Sequence, residues 1–305
     1  MKKVLYIILI SLFSLTIYSC SSDDAATTTA TTDNTTTSSD DTTTTDNTTT
    51  DNTTADDTTT SSSGSGVFVA VGASGNILRS TDNGSSWDNV TSPTAQLLFG
   101  LGFGNNTFVA TGNSGSILRS TDNGNSWDNA TSPTSNILIQ VTFGNNTFVV
   151  VGASGNIVKS TDNGSSFDNV TSPTTNNLKG VGFGNNTFVG VGHNGNIVRS
   201  TDNGTTFDNV TSSTAKNLQR VTFGNNTFVA VGDDGSILRS TDNGTTWDNA
   251  TSPNTKDFRG VGFGNNTFVA VGSGNIIIRS TDNGSSFQTV TNPTTKNLWG
   301  VGFLE

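Results

Sequence analysis

The strongest constraint on this chain is a short polar stretch, Ser-Thr-Asp-Asn-Gly, followed after two further residues by an aromatic residue. The stretch begins at Ser80, Ser120, Ser160, Ser200, Ser240 and Ser280, so it recurs every 40 residues. A fixed period of this length predicts a repeat architecture, because each unit leaves an apolar face that only a neighbouring unit can cover. Residues 67–305 consist of copies of this unit.

Each copy contains four short runs typical of β-strands, which we label A to D. In the second copy these runs are 98–103, 107–111, 117–120 and 126–131. They are separated by Asn-Asn, Asn-Ser-Gly and Asp-Asn-Gly, which favour tight hairpins because these residues accept positive φ angles. Four short antiparallel strands per unit predict one blade of a β-propeller.

The ends of the repeat array predict how the propeller closes. The first copy begins directly with strand B at Val67, whereas residues 298–305 form a strand A that nothing follows. An open array would instead need polar capping units at both ends. We therefore predict an all-β, six-bladed propeller of 40-residue repeats over residues 67–305, in which the N-terminal B, C and D strands pair with the C-terminal A strand.

The repeated stretch also resembles a known motif. Ser240-Thr241-Asp242-Asn243-Gly244-Thr245-Thr246-Trp247 resembles the Asp-box, or BNR repeat, of sialidases and related propellers, including photosystem II assembly factors. The resemblance implies a structural role for the repeated aspartates, which are Asp82, Asp122, Asp162, Asp202, Asp242 and Asp282. This agrees with the chemistry, since a short Asp side chain bonds nearby backbone amides and the aromatic residue fills the gap between blades.

A basic residue precedes the repeated stretch in every copy. It is an arginine in five copies (Arg79, Arg119, Arg199, Arg239 and Arg279) and Lys159 in the third. Because the position recurs in every blade, we interpret it as structural. We expect it to pair with the carboxylate of the next strand, such as Asp88.

The N-terminus is typical of an exported bacterial protein. Two lysines precede an apolar run at 4–18, which is too short to span a bilayer. The run and the following Cys20 resemble a lipobox, which implies a signal peptide at 1–19 and lipid attachment at Cys20. The next four residues, Ser-Ser-Asp-Asp, resemble the signal that sends Bacteroidota lipoproteins to the cell surface. We therefore expect a protein anchored in the bacterial outer membrane by its N-terminal lipid.

Residues 20–66 are predicted to be a disordered tether. Beyond the cysteine, they contain almost only Thr, Ser, Asp, Asn, Ala and Gly. Such a segment cannot bury enough apolar surface to offset the entropy lost on ordering. As a flexible chain it would span roughly 35–40 Å, enough to hold the propeller away from the membrane.

Composition argues against several functions. The chain carries 24 acidic and 14 basic residues, so nucleic acid is not an expected partner. The sialidase mechanism needs a tyrosine nucleophile with a glutamate partner, but the tyrosines are Tyr6 and Tyr18 in the signal and the glutamate is Glu305. The acidic turn at Asp233-Asp234 offers too few oxygen ligands for calcium. We predict no catalytic residues, no metal site and no cofactor.

Comparison of the copies predicts where a ligand would bind. The A–B and C–D turns, which share one face of a propeller, are almost identical in every copy. The opposite face varies, both in the B–C turn and at the start of strand A. The predicted binding residues at the mouth of the central channel are Phe99, Ile139, Lys179, Gln219, Arg220, Arg259, Trp299 and His193. Aromatic, cationic and amide groups in a concave place favour binding, although drift at unconstrained positions would produce variation too, and an exposed turn histidine needs no function.

The sequence therefore predicts a monomeric, surface-anchored propeller that binds a glycan or a protein. One alternative is an enzyme of a non-sialidase type acting on glycans, which would require a pair of carboxylates converging in the channel. Another is a scaffold or assembly factor for an envelope complex, which would have one stoichiometric partner.

Overall fold

The structure, a computed structural model, describes residues 66–303 in full and residues 16–20 by their backbone. The rest of the predicted signal, the tether up to residue 65 and the last two residues lie outside the described residues. Within the described residues the chain folds into six four-stranded antiparallel sheets. No helix in this part of the chain is long and apolar enough to cross a bilayer.

The strands of each sheet follow one another in chain order. Sheet 1 contains β1 (Thr16–Cys20), β2 (Val67–Val71), β3 (Ile77–Ser80) and β4 (Asp88–Val90); sheet 2 contains β5 (Leu98–Gly104), β6 (Thr107–Gly112), β7 (Ile117–Ser120) and β8 (Asp128–Asn129). Sheet 3 contains β9 (Leu138–Gly144), β10 (Thr147–Gly152), β11 (Ile157–Ser160) and β12 (Asp168–Val170); sheet 4 contains β13 (Leu178–Gly184), β14 (Thr187–Gly192), β15 (Ile197–Ser200) and β16 (Asp208–Val210). Sheet 5 contains β17 (Leu218–Gly224), β18 (Thr227–Gly232), β19 (Ile237–Ser240) and β20 (Asp248–Asn249); sheet 6 contains β21 (Phe258–Gly264), β22 (Thr267–Gly272), β23 (Ile277–Ser280) and β24 (Gln288–Thr289).

The turns confirm the predicted hairpins. In sheet 2, Asn105 and Asn106 join the first two strands with φ angles of 49° and 54°. A single 3₁₀ turn, Asn113–Gly115, joins the second and third strands. The repeated stretch joins the third and fourth, with Asn123 and Gly124 at φ angles of 57° and 78°. Asparagine and glycine are suited to these left-handed conformations, and positive φ angles recur at the equivalent turns of the described residues.

The fourth strand is shorter than the sequence predicted. In sheet 2 it covers Asp128–Asn129 rather than 126–131. Trp127, just before it, is buried and donates from its indole N–H to the carbonyl oxygen of Gly124 at 3.1 Å. Thr131, just after it, forms a parallel bridge to Ser166 of sheet 3. Residues on both sides of the short strand are thus used for packing and for contact with the next sheet.

The core lies between neighbouring sheets rather than within any one of them. Val69 and Val71 of sheet 1 pack in one cluster with Leu101, Phe108 and Trp127 of sheet 2, and equivalent clusters join sheets 2 to 6 in sequence. Full burial of each such side chain contributes about 1.5–3 kcal/mol. The repeat is therefore stable only when copies stack, as the 40-residue period predicted.

The first strands β5, β9, β13, β17 and β21 lie side by side in chain order. Glycine allows this close approach, since a Cβ atom on Gly102 would lie 3.0 Å from a methyl group of Val141 in the next sheet. These strands form the innermost layer of the array.

The structure differs from the predicted closure of the ring. The strand that pairs with β2 is β1, with Thr16 opposite Val71 and Cys20 opposite Val67. The C-terminal residues up to Phe303 form no strand and lie against β21. A strand edge pairs through backbone groups, so it can pair with any extended segment that reaches it. In this structure β1 pairs with the free edge of β2.

Candidate functional site

The residue that varies most between copies occupies a β-bulge. In sheet 2, Leu98 lies opposite Gly112 and Gly100 lies opposite Thr111, so the register of the two strands shifts at Phe99. The same shift occurs at the four equivalent residues, which are Ile139, Lys179, Gln219 and Arg259. A β-bulge interrupts the regular ladder at one residue and can re-aim its side chain. The fold therefore presents a ring of replaceable side chains on one rim, which we call the varied rim.

Arg259 is the centre of the polar part of this rim. Its Nη1 atom lies 3.0 Å from Oδ1 of Asp233, and its Nη2 atom lies 2.8 Å from Oδ2 of Asp257. Its guanidinium carbon lies 6.0 Å from the centre of the Trp299 ring. Two charged hydrogen bonds and an aromatic neighbour hold the guanidinium in one orientation.

The carboxylate of Asp233 accepts hydrogen bonds from three side chains, of which Arg259 is one. Its Oδ1 atom also accepts from Nε2 of Gln219 at 2.9 Å, and its Oδ2 atom accepts from Nδ2 of Asn217 at 2.9 Å. The carboxylate thus joins the 3₁₀ turn of sheet 5 to the start of β17 and, through Arg259, to sheet 6. Gln219 and Arg259 contact this carboxylate and Trp299 lies beside Arg259, and all three are residues that the sequence predicted for the site.

Lys179 and Arg220 lie on the same rim. Arg220 donates from Nη1 to the carbonyl oxygens of Lys179 and Gln219, both at 2.8 Å. Burial, followed by the positive charges of Arg220 and Arg259, lowers the pKa of Lys179 below its ordinary value. Burial and then Lys179 lower the pKa of His193. Lys179 therefore lies close to Arg220, Arg259 and His193 at this rim.

The other part of the rim is apolar. Phe99 and Ile139 are partly buried at their bulges, and Ile137, just before β9, is 40% exposed. Trp299 is 37% exposed and lies beside Arg259. The sequence predicted that Trp299 and Phe99 would occupy adjacent blades, which requires the closure that the structure does not show.

Two buried polar atoms near the channel have no hydrogen-bond partner among the described residues. They are Oε1 of Gln140, whose residue is 8% exposed, and Nε of Arg259. Buried polar atoms normally find a partner, because leaving one unpaired costs about 1–3 kcal/mol.

The opposite rim is built for structure, and we call it the uniform rim. Hydrogen bonds from the hydroxyl and N–H of Ser86 and from the hydroxyl of Ser80 lower the pKa of Asp82 to about 2. The same carboxylate network recurs in all six copies. A role repeated this regularly is the stabilisation of the turn.

The repeated arginines do not pair as predicted. Arg119 lies across from Asp128 in the strand register, but its Nε atom donates at 2.7 Å to the carbonyl oxygen of Asn163 in the next sheet. Arg79, Arg199 and Arg239 make the same bond. The acidic residue is exposed at the outer edge, where water competes for it, whereas the turn carbonyl accepts a bond that joins two sheets. The arginine is therefore a contact between sheets rather than within one.

Sequence comparison missed Asp257 and Asn217 as members of the site. Both occupy the position two residues before the bulge, which is Leu97, Ile137 and Asn177 in earlier copies. The signal was present, because this position also changes from apolar to polar along the chain. The comparison of copies overlooked this change because it considered the residues at the start of strand A, and this position lies one residue before the strand.

Other concave surfaces lie at the outer edges of the sheets. A groove of about 550 Å³ is lined by residues including Arg199, Asn209 and Trp247, and a similar one of about 510 Å³ by Arg79, Asn89 and Trp127. These are equivalent positions of the repeat, so the grooves follow from the blade geometry. In residues 66–303 no three metal-binding side chains cluster.

Several solved structures are similar to this chain. YCF48 bound to a D1 peptide has a TM-score of 0.60 and 18% identity, covering 73% of this chain and 76% of that chain. YCF48 from Cyanidioschyzon merolae has a TM-score of 0.60 and 18% identity, covering 78% and 86%. The WD40 β-propeller domain of Doa1 has a TM-score of 0.60 and 12% identity, covering 77% and 82%.

The fold is a β-propeller. At identities this low, the likeness concerns the arrangement of the blades. No family model and no curated protein matches the sequence. What the propeller binds must therefore be argued from its own rim.

Proposed function

We propose that this propeller is a binding module whose varied rim takes an acidic segment of a partner protein. The observation that carries the proposal is the convergence of Lys179, Arg220 and Arg259 on one side of the channel mouth, beside Trp299. Cations with an aromatic neighbour are the groups that most often anchor a protein partner.

Charge supports an anionic ligand. The cluster holds three cations and two carboxylates, Asp233 and Asp257, both of which are bonded to Arg259. The rim is thus locally positive on a chain whose net charge is −10. The half-buried Lys179 keeps its charge at a cost, which its lowered pKa reflects. A bound carboxylate would offset that cost, because opposite charges attract strongly where water is partly excluded.

A protein partner is favoured over a glycan by the comparison with YCF48, one of whose structures contains a D1 peptide. The varied rim also continues from the cationic residues to Ile137, Ile139 and Phe99. A peptide offers both acidic and apolar side chains to such a surface, whereas most sugars lack the apolar ones.

We also propose that the propeller works outside the cell, held by a lipid on Cys20. The support is the charged start, the short apolar run and the small residue before this cysteine. Mass spectrometry of the N-terminus tests the anchor, with Cys20→Ala as the control. An unmodified Cys20 on the mature protein would contradict it, and a propeller that resists protease added to intact cells would contradict surface display.

The binding proposal is tested with two synthetic peptides of equal length, one rich in Glu and Leu and one rich in Lys and Leu, against the detergent-solubilised full chain. We expect the acidic peptide to bind and its affinity to fall as salt is added. Lys179→Ala should weaken binding by roughly tenfold. The matched control is Lys159→Ala, which removes a lysine from the third strand of sheet 3, away from the rim.

Three outcomes would contradict the proposal. They are equal binding of both peptides, equal losses from the two lysine variants, and retention of neutral glycans on an array in place of the acidic peptide.

A further inference from the structure

The contacts between neighbouring blades repeat so regularly that a missing set is easily recognised. Five junctions join consecutive sheets, from sheet 1 with sheet 2 to sheet 5 with sheet 6. At each of them the glycine of the repeated turn faces a valine of the preceding sheet. The pairs are Gly124 with Val69, Gly164 with Val109, Gly204 with Val149, Gly244 with Val189 and Gly284 with Val229. At four junctions an arginine Nε atom donates to an asparagine carbonyl, and at four an asparagine side chain donates to a threonine hydroxyl.

The junction that would join sheet 6 back to sheet 1, which we call the sixth junction, has the same residues without these contacts. Sheet 6 supplies Thr267, Val269 and Arg279, and sheet 1 supplies Asn83 and Gly84. A Cβ atom on Gly84 would meet nothing within 4 Å. The Oδ1 atom of Asn83 instead accepts from the backbone N–H of Gly66 at 2.8 Å.

Burial shows the same difference. Thr107 and Val109 are completely buried at a formed junction. Their equivalents Thr267 and Val269 are partly exposed, and Arg279 is exposed whereas Arg119 is half-buried. The two surfaces of the sixth junction thus carry the same residue types as the formed junctions, but they are not packed against each other in the structure.

Two segments of the chain fit the position of first strand in sheet 1. The segment that pairs there is β1, whose register places Tyr18 opposite Val69 and Ser19 opposite Phe68. In sheet 2 the equivalent residues are Gly102, opposite Val109, and Phe103, opposite Phe108.

The C-terminal segment has the residues that this position requires. In sheets 2 to 6 the residue equivalent to Tyr18 is always Gly or Thr, and the residue equivalent to Ser19 is always Phe. Residues 298–303 carry Gly302 and Phe303 at these two places, whereas β1 carries Tyr and Ser. Small residues are needed because the adjacent sheet packs there, and the phenylalanine packs over a glycine of the preceding sheet.

The C-terminal segment already lies beside sheet 6 in the manner of a first strand. The N–H of Leu298 donates to the carbonyl oxygen of Gly272 at 3.0 Å, as the N–H of Leu98 donates to Gly72. The ring of Phe303 lies over Gly264, as that of Phe143 lies over Gly104. Phe303 is nevertheless 50% exposed, because no second strand pairs beside it.

We propose that residues 298–303 replace Thr16–Cys20 as the first strand of sheet 1, and that this exchange closes the sixth junction. In the closed ring the open surface of sheet 6 would pack against the open surface of sheet 1 of the same chain. Since β1 ends at Cys20, the residue at which the sequence predicts processing, loss of residues 1–19 would remove the competing strand. The propeller then closes only after export.

Crosslinking tests the exchange. Ser85→Cys with Arg279→Cys places thiols at the sixth junction, and Lys159→Cys with Thr205→Cys places them at a formed junction, where the native side chains lie 3.0 Å apart. Both pairs are introduced into the full chain with Cys20→Ser, so that no other thiol is present, and are treated with a short bismaleimide. A companion chain carries Tyr18→Pro and Ser19→Pro, because proline removes the backbone donors that strand pairing needs.

We expect the control pair to crosslink equally in both chains. The sixth-junction pair should crosslink within one chain roughly tenfold more in the proline chain. Adding Val301→Asp and Phe303→Asp should abolish that gain while the control pair still reacts. Equal yields of the sixth-junction pair in the two chains would overturn the proposal, as would crosslinks between two copies, which would assign the open surfaces to a dimer.

Discussion

The two rims of the propeller are made from the same repeat, yet they use it in opposite ways. On the uniform rim, the turn residues bond to the preceding blade, as when Asn163 donates from Nδ2 to the hydroxyl of Thr107 at 2.6 Å. On the varied rim, the strand register shifts at bulge residues such as Ile139 and Lys179. The uniform rim repeats one set of contacts between blades in nearly every copy, whereas the contacts between blades on the varied rim differ from copy to copy, as with Arg259 and Asp233.

The comparison teaches where function should be sought in a protein of near-identical repeats. A residue that recurs in every blade is constrained by the blade, as the turn aspartates and the arginines show. A bulge residue is not fixed by the regular strand ladder, so its identity can differ between blades and is available for recognition. Substitutions on the two rims should accordingly affect different measurements.

The largest expected effect is on stability at the uniform rim. Gly164→Val places a branched side chain at a φ angle of 78°, with its Cβ atom 2.9 Å from a methyl group of Val109. We expect the free energy of unfolding to fall by about 3 kcal/mol or more, measured by chemical denaturation. The matched control is Ser154→Val on the varied rim, where φ is 56° but the residue is exposed. It should cost about 1 kcal/mol, and equal costs would remove the distinction between the rims.

The next effect is on binding at the varied rim. Trp299→Ala should weaken binding of the acidic synthetic peptide by roughly 30-fold, because an aromatic side chain that the partner covers contributes about 2 kcal/mol or more. The measurement is titration calorimetry on the full chain. Asn105→Ala on the uniform rim is the control and should leave affinity unchanged. A loss confined to Asn105→Ala would show that the variation on the other rim is drift.

Acid should act on the uniform rim first. Asp82, Asp122, Asp202 and Asp282 have pKa values of about 2 in the folded chain, against an ordinary value of 3.8. A depressed pKa in the folded state contributes stability that is present above pH 4 and is lost as the pH falls towards 2. The thermal midpoint should therefore drop steeply across this window. Asp122→Asn should make the drop shallower, and an unchanged profile would argue against these turns as the acid-sensitive element.

The smallest effect is expected from the turn of sheet 4. His193 is partly exposed on the varied rim, and burial keeps its pKa below the ordinary value, so it is neutral at pH 7. His193→Ala should change the free energy of unfolding by no more than about 0.5 kcal/mol. A larger change would show that the varied rim also contributes to the fold.

Most of the architecture was predictable from periodicity and turn chemistry. The 40-residue spacing and the Asn-Gly and Asn-Asn pairs predicted the strands and their hairpins, because positive φ angles are demanded locally. The pairing of the repeated arginine was not predictable. Arg119 and Asp128 are opposite in register, but only the packed blades show that the carbonyl oxygen of Asn163 is the acceptor.

The candidate site was predictable only in part. Variation between copies indicated Lys179, Gln219, Arg259 and Trp299, and the structure places them on one rim. It did not indicate Asp257 or Asn217, because the contacts of these residues cross between blades. The bulge was also invisible in the sequence, since a shift of one residue in strand pairing is defined by both strands together.

The sequence by itself determined the repeat unit, its four strands, its turns and the need for neighbouring copies, since these depend on residues within 40 positions of one another. Only the tertiary structure decided which residues of different blades meet, and which strand completes sheet 1. That strand lies more than 45 residues from its partner along the chain if β1 supplies it, and more than 200 if residues 298–303 do. Local chemistry permits both pairings, so packing against the neighbouring sheets must choose between them.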